Sequence, residues 1–132
     1  MLDLAEHRND GFVALKDIAE RQQISKKYLE QLIPMLNTPD LLQTNRGFQG
    51  GYRLAQPPEK YTVGMILRLT EGSLAPVSCL VNYPNSCDRA DECTTLFIWE
   101  GLNKVISDYL DGITLQDIID KQNESYSNNY VI

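Results

Sequence analysis

The sequence of this 132-residue chain places two short amphipathic segments directly before a glycine-rich hairpin, an order that few folds accommodate. Leu15, Ile18 and Ala19 recur at helical spacing and predict a short first helix of this pair. Ser25 is a suitable N-cap for the second helix, whose apolar stripe contains Leu29, Leu32, Ile33 and Leu36. Pro34 lies within that stripe and predicts a kink or an end nearby. Two short helices separated by a few residues are typical of a helix-turn-helix.

The segment after the second helix predicts a β-hairpin. Residues 41–46 and 51–55 have the composition of strands, and the sequence GFQG joins them. A hairpin placed directly after a helix-turn-helix is a wing, in which Arg46 can lie along a phosphate or enter a minor groove. Glycines at such a tip allow two backbones to approach closely. We therefore expect residues 1–72 to form a winged helix-turn-helix module.

Two further helices are predicted within this module. Met1, Leu4 and Ala5 lie at helical spacing, but no capping residue precedes them, so we expect the first helix to be truncated at its N-terminal end. After the wing, Thr62 is a suitable N-cap for a helix that ends at Gly72.

The second half of the chain predicts a loop and a long helix. Residues 73–93 show no clear periodicity and contain all three cysteines, and a loop this long is usually functional. From Thr94 onwards, apolar residues recur at helical spacing over a broad face. A single small domain leaves little to cover that face, so we predict a dimerisation helix, with packing along its own domain as the alternative. The predicted interface contains Ile98, Leu102, Val105, Ile106 and Tyr109.

Residues 94–132 are completed by a short helix and a tail. Thr114 caps the helix TLQDIIDKQ, and the remaining sequence ESYSNNYVI is predicted to be polar and mobile. The predicted fold class is therefore mostly α: a winged helix-turn-helix with a β-hairpin wing, a long dimerisation helix and a cysteine-bearing loop.

The charge of −6 is distributed unevenly along the chain. Residues 1–60 carry eight Lys/Arg and eight Asp/Glu, whereas residues 61–132 carry four and ten. A chain divided in this way can present a neutral-to-basic face to a polyanion and keep an acidic body in solvent. The alternative is that both halves are only solvated surface.

Membrane, secreted and enzymatic roles are not expected. No apolar run approaches ~20 residues, and the N-terminus is too charged for a signal peptide, so we expect a cytoplasmic protein without a membrane partner. We find no Ser/His/Asp set, carboxylate pair or phosphate-binding loop. The one histidine, His7, is predicted to be a surface residue, so general-base catalysis has little support.

Several strings resemble a single known family. The sequences LKDIAERQQISKKYLEQL, RGFQGGYRLA and FIWEGLNKVISDYLDGITLQDII resemble the helix-turn-helix, the wing and the dimer helix with its following short helix in one bacterial family. That family is the winged-helix regulators of IscR, NsrR and CymR (the Rrf-two family). The resemblance covers nearly the whole chain and implies a homodimeric transcriptional regulator that binds double-stranded DNA. One departure is PDLL, where the family often has a glycine before its hydrophobic pair.

The resemblance implies that the second helix of the pair is a recognition helix, whose start contacts DNA together with the wing. The resemblance also implies that Glu30 and Gln31 face the major groove. Their chemistry agrees, because glutamate can accept from the amino group of cytosine and glutamine can bind adenine. The alternatives are that both are ordinary exposed residues and that Tyr52 serves packing. The complete predicted set is Ser25, Lys26, Lys27, Tyr28, Glu30, Gln31, Arg46, Gly47, Gly50, Gly51 and Tyr52.

The three cysteines have the spacing Cys79-x7-Cys87-x5-Cys93, which lacks the close pairs of structural zinc sites and the runs of ferredoxins. Their odd number favours a metal or thiol site over a disulfide framework. The resemblance implies that they bind an iron–sulfur cluster that senses iron–sulfur, redox or nitrosative status. Leu96 stands where the family's IscR has a histidine ligand, so a fourth ligand must differ. Oxygen donors within the loop are Asp88, Asp91 and Glu92.

Other functions remain open from the sequence. One is a cluster-free regulator of cysteine or sulfur metabolism that acts through thiols, and inert buried thiols are a further alternative. The end Asn129-Tyr130-Val131-Ile132 is similar to that of CymR-like repressors, where the resemblance implies docking to cysteine synthase. The alternative, which the sequence favours, is a frayed terminus. A protein-interaction adaptor is another alternative function.

As a dimeric regulator, the chain would place its recognition helices in successive major grooves ~34 Å apart on a near-palindromic operator.

Overall fold

The computed structural model describes residues 1–130 of the protein. The mostly helical fold class and the two-stranded wing are confirmed. Short 3₁₀ turns lie at Arg8–Asp10, Pro58–Lys60, Ser78–Leu80 and Ala90–Glu92. The principal elements are α1 (Leu2–Glu6), α2 (Leu15–Gln22), α3 (Lys26–Leu36), β1 (Leu42–Asn45), β2 (Gly51–Leu54), α4 (Val63–Glu71), α5 (Leu96–Asp111) and α6 (Leu115–Asn129).

The helix-turn-helix is closed by local backbone geometry. Gln23 ends α2 in the left-handed conformation with φ 53°, and Ser25 caps α3 by accepting a hydrogen bond from the Tyr28 amide at 3.0 Å. Pro34 does not interrupt α3, which ends two residues later at Leu36. The predicted cap is thus confirmed, and the proline marks the last turn of the helix.

The glycines of the wing are required by backbone geometry. Strands β1 and β2 pair antiparallel, and the turn between them closes through a hydrogen bond from the Gly50 amide to the Gly47 carbonyl at 2.9 Å. Gly47 has φ +100°, which L side chains rarely adopt. At Gly51 an added Cβ would overlap the Val13 carbonyl, because Val13 pairs with Tyr52 on the outer edge of β2. The glycine-rich string therefore encodes the shape of the wing.

The hydrophobic core lies under the winged module and includes a residue from the end of the chain. Within the module, α1 packs against β2, and α6 packs against α1 and the turn Pro58–Lys60. Helix α5, by contrast, contributes no buried residue. The buried core residues are Leu4, Ala5, Val13, Ile18, Leu36, Leu41, Leu42, Tyr61 and Leu115.

The predicted polar tail is helical as far as the structure describes it. Thr114 and Asp117 form a reciprocal capping box at the start of α6, which confirms the predicted cap. The helix then continues to Asn129, so the prediction of a short helix with a mobile tail was wrong for these residues. Extending a nucleated helix costs far less than starting one, and Gln116 bonds Asp120 one turn away at 2.8 Å.

Helix α5 is fixed to the winged module through α4. Arg68 of α4 donates two hydrogen bonds to the Asp111 carboxylate, at 2.6 and 3.0 Å. These bonds lower the pKa of Asp111, although burial opposes them. Gly64 lies against the Asp111 carboxylate, and a side chain at position 64 would displace that carboxylate.

No helix within residues 1–130 is long and apolar enough to cross a bilayer.

A buried carboxylate ties α1 to the end of α2. Asp3 is 5% exposed and accepts hydrogen bonds from Arg21 at 2.7 and 3.0 Å and from Gln22 at 3.0 Å. Burial raises the pKa of Asp3, but the bonds from Arg21 and Gln22 outweigh it, so the net pKa is lowered. Since α2 leads directly into α3, this contact positions the helix-turn-helix on α1.

We predict that Asp3→Asn lowers the free energy of unfolding at neutral pH by ~1–3 kcal/mol, because two donors lose a charged acceptor. A lowered folded-state pKa means that this contribution is present above the ordinary carboxyl pKa and is lost as pH falls through the folded value. Urea unfolding as a function of pH measures it. Exposed Glu20→Gln is the control, and equal stability of Asp3→Asn and the parent at pH 7 would contradict the assignment.

Candidate nucleic-acid interface and cysteine loop

A groove between α3 and the wing brings together seven of the eleven predicted DNA-contacting residues. The groove opens to solvent between the first turns of α3 and the tip of the hairpin. The predicted residues that line it are Lys26, Glu30, Arg46, Gly47, Gly50, Gly51 and Tyr52. The other four, Ser25, Lys27, Tyr28 and Gln31, are exposed on α3 or at its start. A helix and a wing arranged in this way are the two elements with which winged-helix proteins contact a DNA duplex.

Sequence reasoning missed several residues of this groove. Lys16 enters it from the start of α2, and Asn37, Thr44 and Asn45 line it from the end of α3 and from β1. Thr44 donates a hydrogen bond to the Asn37 side chain at 3.0 Å. No periodicity in the sequence marks the strand positions, because three consecutive residues of β1 are exposed.

The electrostatics of the groove leave its cations available. Lys26 and Glu30 are one helical turn apart, with 3.6 Å between Nζ and Oε1, and both side chains are more than half exposed. Such a pair contributes little to stability, because solvent screens it. Lys26 can therefore exchange Glu30 for a phosphate, and Arg46 is exposed at the wing.

Of the two roles that the sequence left open for Tyr52, the structure shows packing. Its side chain lines the groove, and it is also half-buried against the hydrophobic core. Its backbone pairs with Val13 through hydrogen bonds of 2.8 and 2.9 Å. Packing is thus observed directly for this residue.

A second arginine lies on the outer face of the wing. Arg53 opposes Gln43 in the register, and its Nε donates to the side-chain Oε1 of Gln43 at 2.7 Å. Its guanidinium also lies 4.4 Å from the centroid of the Phe12 ring. The cation–π contact and the hydrogen bond both favour this orientation of the side chain.

The predicted dimer face is exposed in the single chain. Ile98, Leu102, Val105 and Tyr109 form one stripe along α5 and expose between 41% and 68% of their surface. Ile106 is half-buried, on the side that turns towards α4. Phe97, which we did not include, is 72% exposed beside the stripe.

The three cysteines are free thiols at different places in the loop. Cys87 and Cys93 are exposed and line one hollow with Arg89, Glu92 and Thr94, whereas Cys79 is half-buried in the turn Ser78–Leu80. The hydrogen bond with Thr95, whose hydroxyl is 3.6 Å away, lowers the pKa of Cys93. Within residues 1–130 no three His, Cys, Asp or Glu side chains converge to hold a metal ion.

The histidine and the predicted docking end lie outside the cysteine loop. His7 is half-buried rather than fully exposed, and its Nδ1 is 2.8 Å from the Asp3 carbonyl oxygen. Tyr130 is exposed at the end of α6. The remaining residues of the predicted docking end, Val131 and Ile132, lie outside the described residues.

Comparisons with known proteins agree on one class. The family profile described as "Iron-dependent Transcriptional regulator" (Rrf2) matches residues 1–121. The transcriptional regulator IscR of Aliivibrio salmonicida is 40% identical over 119 residues, which are 90% of this chain and 70% of that protein. The structure of T. potens IscR is 41% identical, with a TM-score of 0.72 over 94% of this chain and 80% of that one. CymR, the global cysteine regulator of B. subtilis, is 31% identical, with a TM-score of 0.70 over 91% and 87%.

The fold and the groove thus define a winged-helix, DNA-binding transcriptional regulator. More narrowly, the chain belongs to the Rrf2 family. The family resemblance inferred from the YLEQL and RGxxGGYxLA strings is confirmed. Because its relatives are transcriptional regulators, the expectation that the chain is not an enzyme is confirmed as well.

We predict that Arg46→Ala weakens binding to all duplexes, because it removes a phosphate or minor-groove cation of the wing. Gln31→Ala, on the recognition helix, should instead relax the choice of base at one position, at a cost of ~1–3 kcal/mol. A footprint with affinities for single-base variants of the site separates the two. Identical behaviour of the two variants would contradict the division of labour between helix and wing.

Proposed function

We propose that the protein is a homodimeric transcriptional regulator that senses iron–sulfur, redox or nitrosative status through Cys79, Cys87 and Cys93. The observation that carries the proposal is the position of three free thiols on one loop between the winged module and α5. A change in that loop alters how α5 sits relative to the winged module, and a two-site operator responds to such a change.

The exposed stripe of α5 supports the homodimer. A helix with four large apolar residues in one stripe and no buried residue gains most from a second copy that covers it. In a twofold assembly the same stripe of each copy is covered by the other. The two recognition helices would then read a near-palindromic operator with half-sites about one helical turn apart.

We expect Leu102→Glu to give a monomer, because the variant buries an unpaired charge in the interface. Sedimentation velocity over a range of concentrations measures the mass. Leu69→Glu is the matched control, since Leu69 is 41% exposed like Leu102 but lies on α4. A Leu102→Glu dimer as tight as the parent dimer would move the interface elsewhere.

The donor chemistry of the loop fits an iron–sulfur cluster in part. Thiolates are the usual cluster ligands, and all three cysteines are free to act as such. When bound, a cluster supplies a centre that responds to oxidants and changes its charge. Cys87 and Cys93 already line one hollow, but Cys79 does not, so loading requires the turn Ser78–Leu80 to move. Leu96 cannot be a fourth ligand.

Anaerobically isolated protein should be coloured and should contain iron and sulfide in comparable amounts, and Cys87→Ser should lose both. Because a cluster with one replaceable ligand is labile, protein handled in air should lose its colour. Absorption spectra with iron and sulfide analysis measure this. Ser86→Ala, at the neighbouring position, is the control that should keep the colour.

A cluster-free thiol regulator is the second candidate. It is favoured by the shared hollow of Cys87 and Cys93 and by the likeness to CymR. Cysteine synthase as its partner rests on the chain end alone. Protein that stays colourless after anaerobic reconstitution, yet changes its DNA affinity with peroxide or with cysteine synthase, would replace the cluster proposal with this one.

A further inference from the structure

The tip of the wing carries a phenylalanine that is almost fully exposed within residues 1–130. Phe48 is 96% exposed, more than any other aromatic side chain of residues 1–130 except Tyr83. It lies between Gly47 and Gln49 in the turn that joins β1 to β2. A large apolar side chain held fully in water at the end of a hairpin is available for insertion into another surface.

The turn itself does not require this side chain. The hydrogen bond between the Gly50 amide and the Gly47 carbonyl closes the turn. The unusual backbone angles fall on the neighbours, with φ +100° at Gly47 and +62° at Gln49. Removal of the ring therefore leaves the conformation of the hairpin in place, so a substitution at Phe48 tests function separately from folding.

The surroundings of Phe48 point to nucleic acid as its target. Arg46 is exposed two residues away on the same hairpin, and the groove behind the tip contains Lys16 and Lys26. A cation that tracks phosphates beside an apolar side chain is the combination with which proteins enter a minor groove and unstack a base step. Phenylalanine is one of the residues used for such insertion.

We propose that Phe48 is an apolar wedge that inserts between two base pairs in the minor groove next to each half-site, an inference that rests on the proposed DNA-binding function. Pyrimidine–purine steps unstack most easily, so the wedge makes the protein select a TA or CA step at a position that the recognition helix does not read. Phe48 is then a specificity-determining residue, and the duplex is bent away from the wing.

The test uses the full chain and a duplex selected from a random pool by repeated binding to it. 2-Aminopurine placed along the flanks of each half-site reports unstacking, and energy transfer between the duplex ends reports bending. Phe48→Ala should bind about tenfold more weakly, with reduced bending and no rise in 2-aminopurine fluorescence. Phe48→Leu, which retains an apolar wedge, should recover part of the affinity and bending.

Salt dependence separates the wedge from a phosphate contact. Phe48→Ala should leave the slope of log affinity against log salt unchanged, because the ring neutralises no phosphate, whereas Arg46→Ala should reduce it by about one. Tyr126→Ala is the matched control, since Tyr126 is also an exposed aromatic residue but lies on α6, away from the wing and the cysteine loop. This variant should bind and bend DNA like the parent.

Each contrary result has its own meaning. If the parent binds and Phe48→Ala matches it in affinity, fluorescence and bending, the wedge is overturned while the proposed function stands. If Phe48→Ala changes the mass of the assembly instead of the DNA contact, the ring joins copies of the chain and the wedge is equally overturned. A parent that binds no duplex with salt-dependent affinity overturns the proposed function together with this inference.

Discussion

The hydrogen bonds of the buried residue Tyr61 are the interactions on which the packing of the wing against α6 depends. Tyr61 is 1% exposed, and its hydroxyl donates to the Leu41 carbonyl at 2.7 Å and accepts from the Gln56 amide at 3.0 Å. Its own carbonyl accepts from the Leu115 amide at 3.0 Å. One residue therefore joins the base of the wing to the start of α6. Burial raises the pKa of Tyr61.

The winged module and α5 are held in different ways. The core residues come from the winged module, including α1, and from the first turn of α6, whereas α5 is held by α4 and by the Arg68–Asp111 pair. The cysteine loop lies between these two parts. In the regulator that we propose, a change in the loop is transmitted to the winged module through the Arg68–Asp111 pair between α4 and α5.

Features set by neighbouring residues were predictable from the sequence, whereas features set by distant contacts were not. The caps at Ser25, Thr62 and Thr114 follow from local chemistry, and the structure has all three. The approach of Gly51 to Val13 and the burial of Asp3 against Arg21 depend on residues far away along the chain. The length of α6 was missed because Ser and Asn favour turns, but the nucleated helix continues through them.

The central claim is that two copies of α3 and the wing read one duplex together, and hydroxyl-radical footprinting of a selected duplex at several salt concentrations tests it most directly. The account predicts two protected segments on one face of the duplex, centred about 34 Å apart, and an affinity that falls linearly on logarithmic axes as salt rises. A single protected segment, or an affinity that salt does not change, would contradict it.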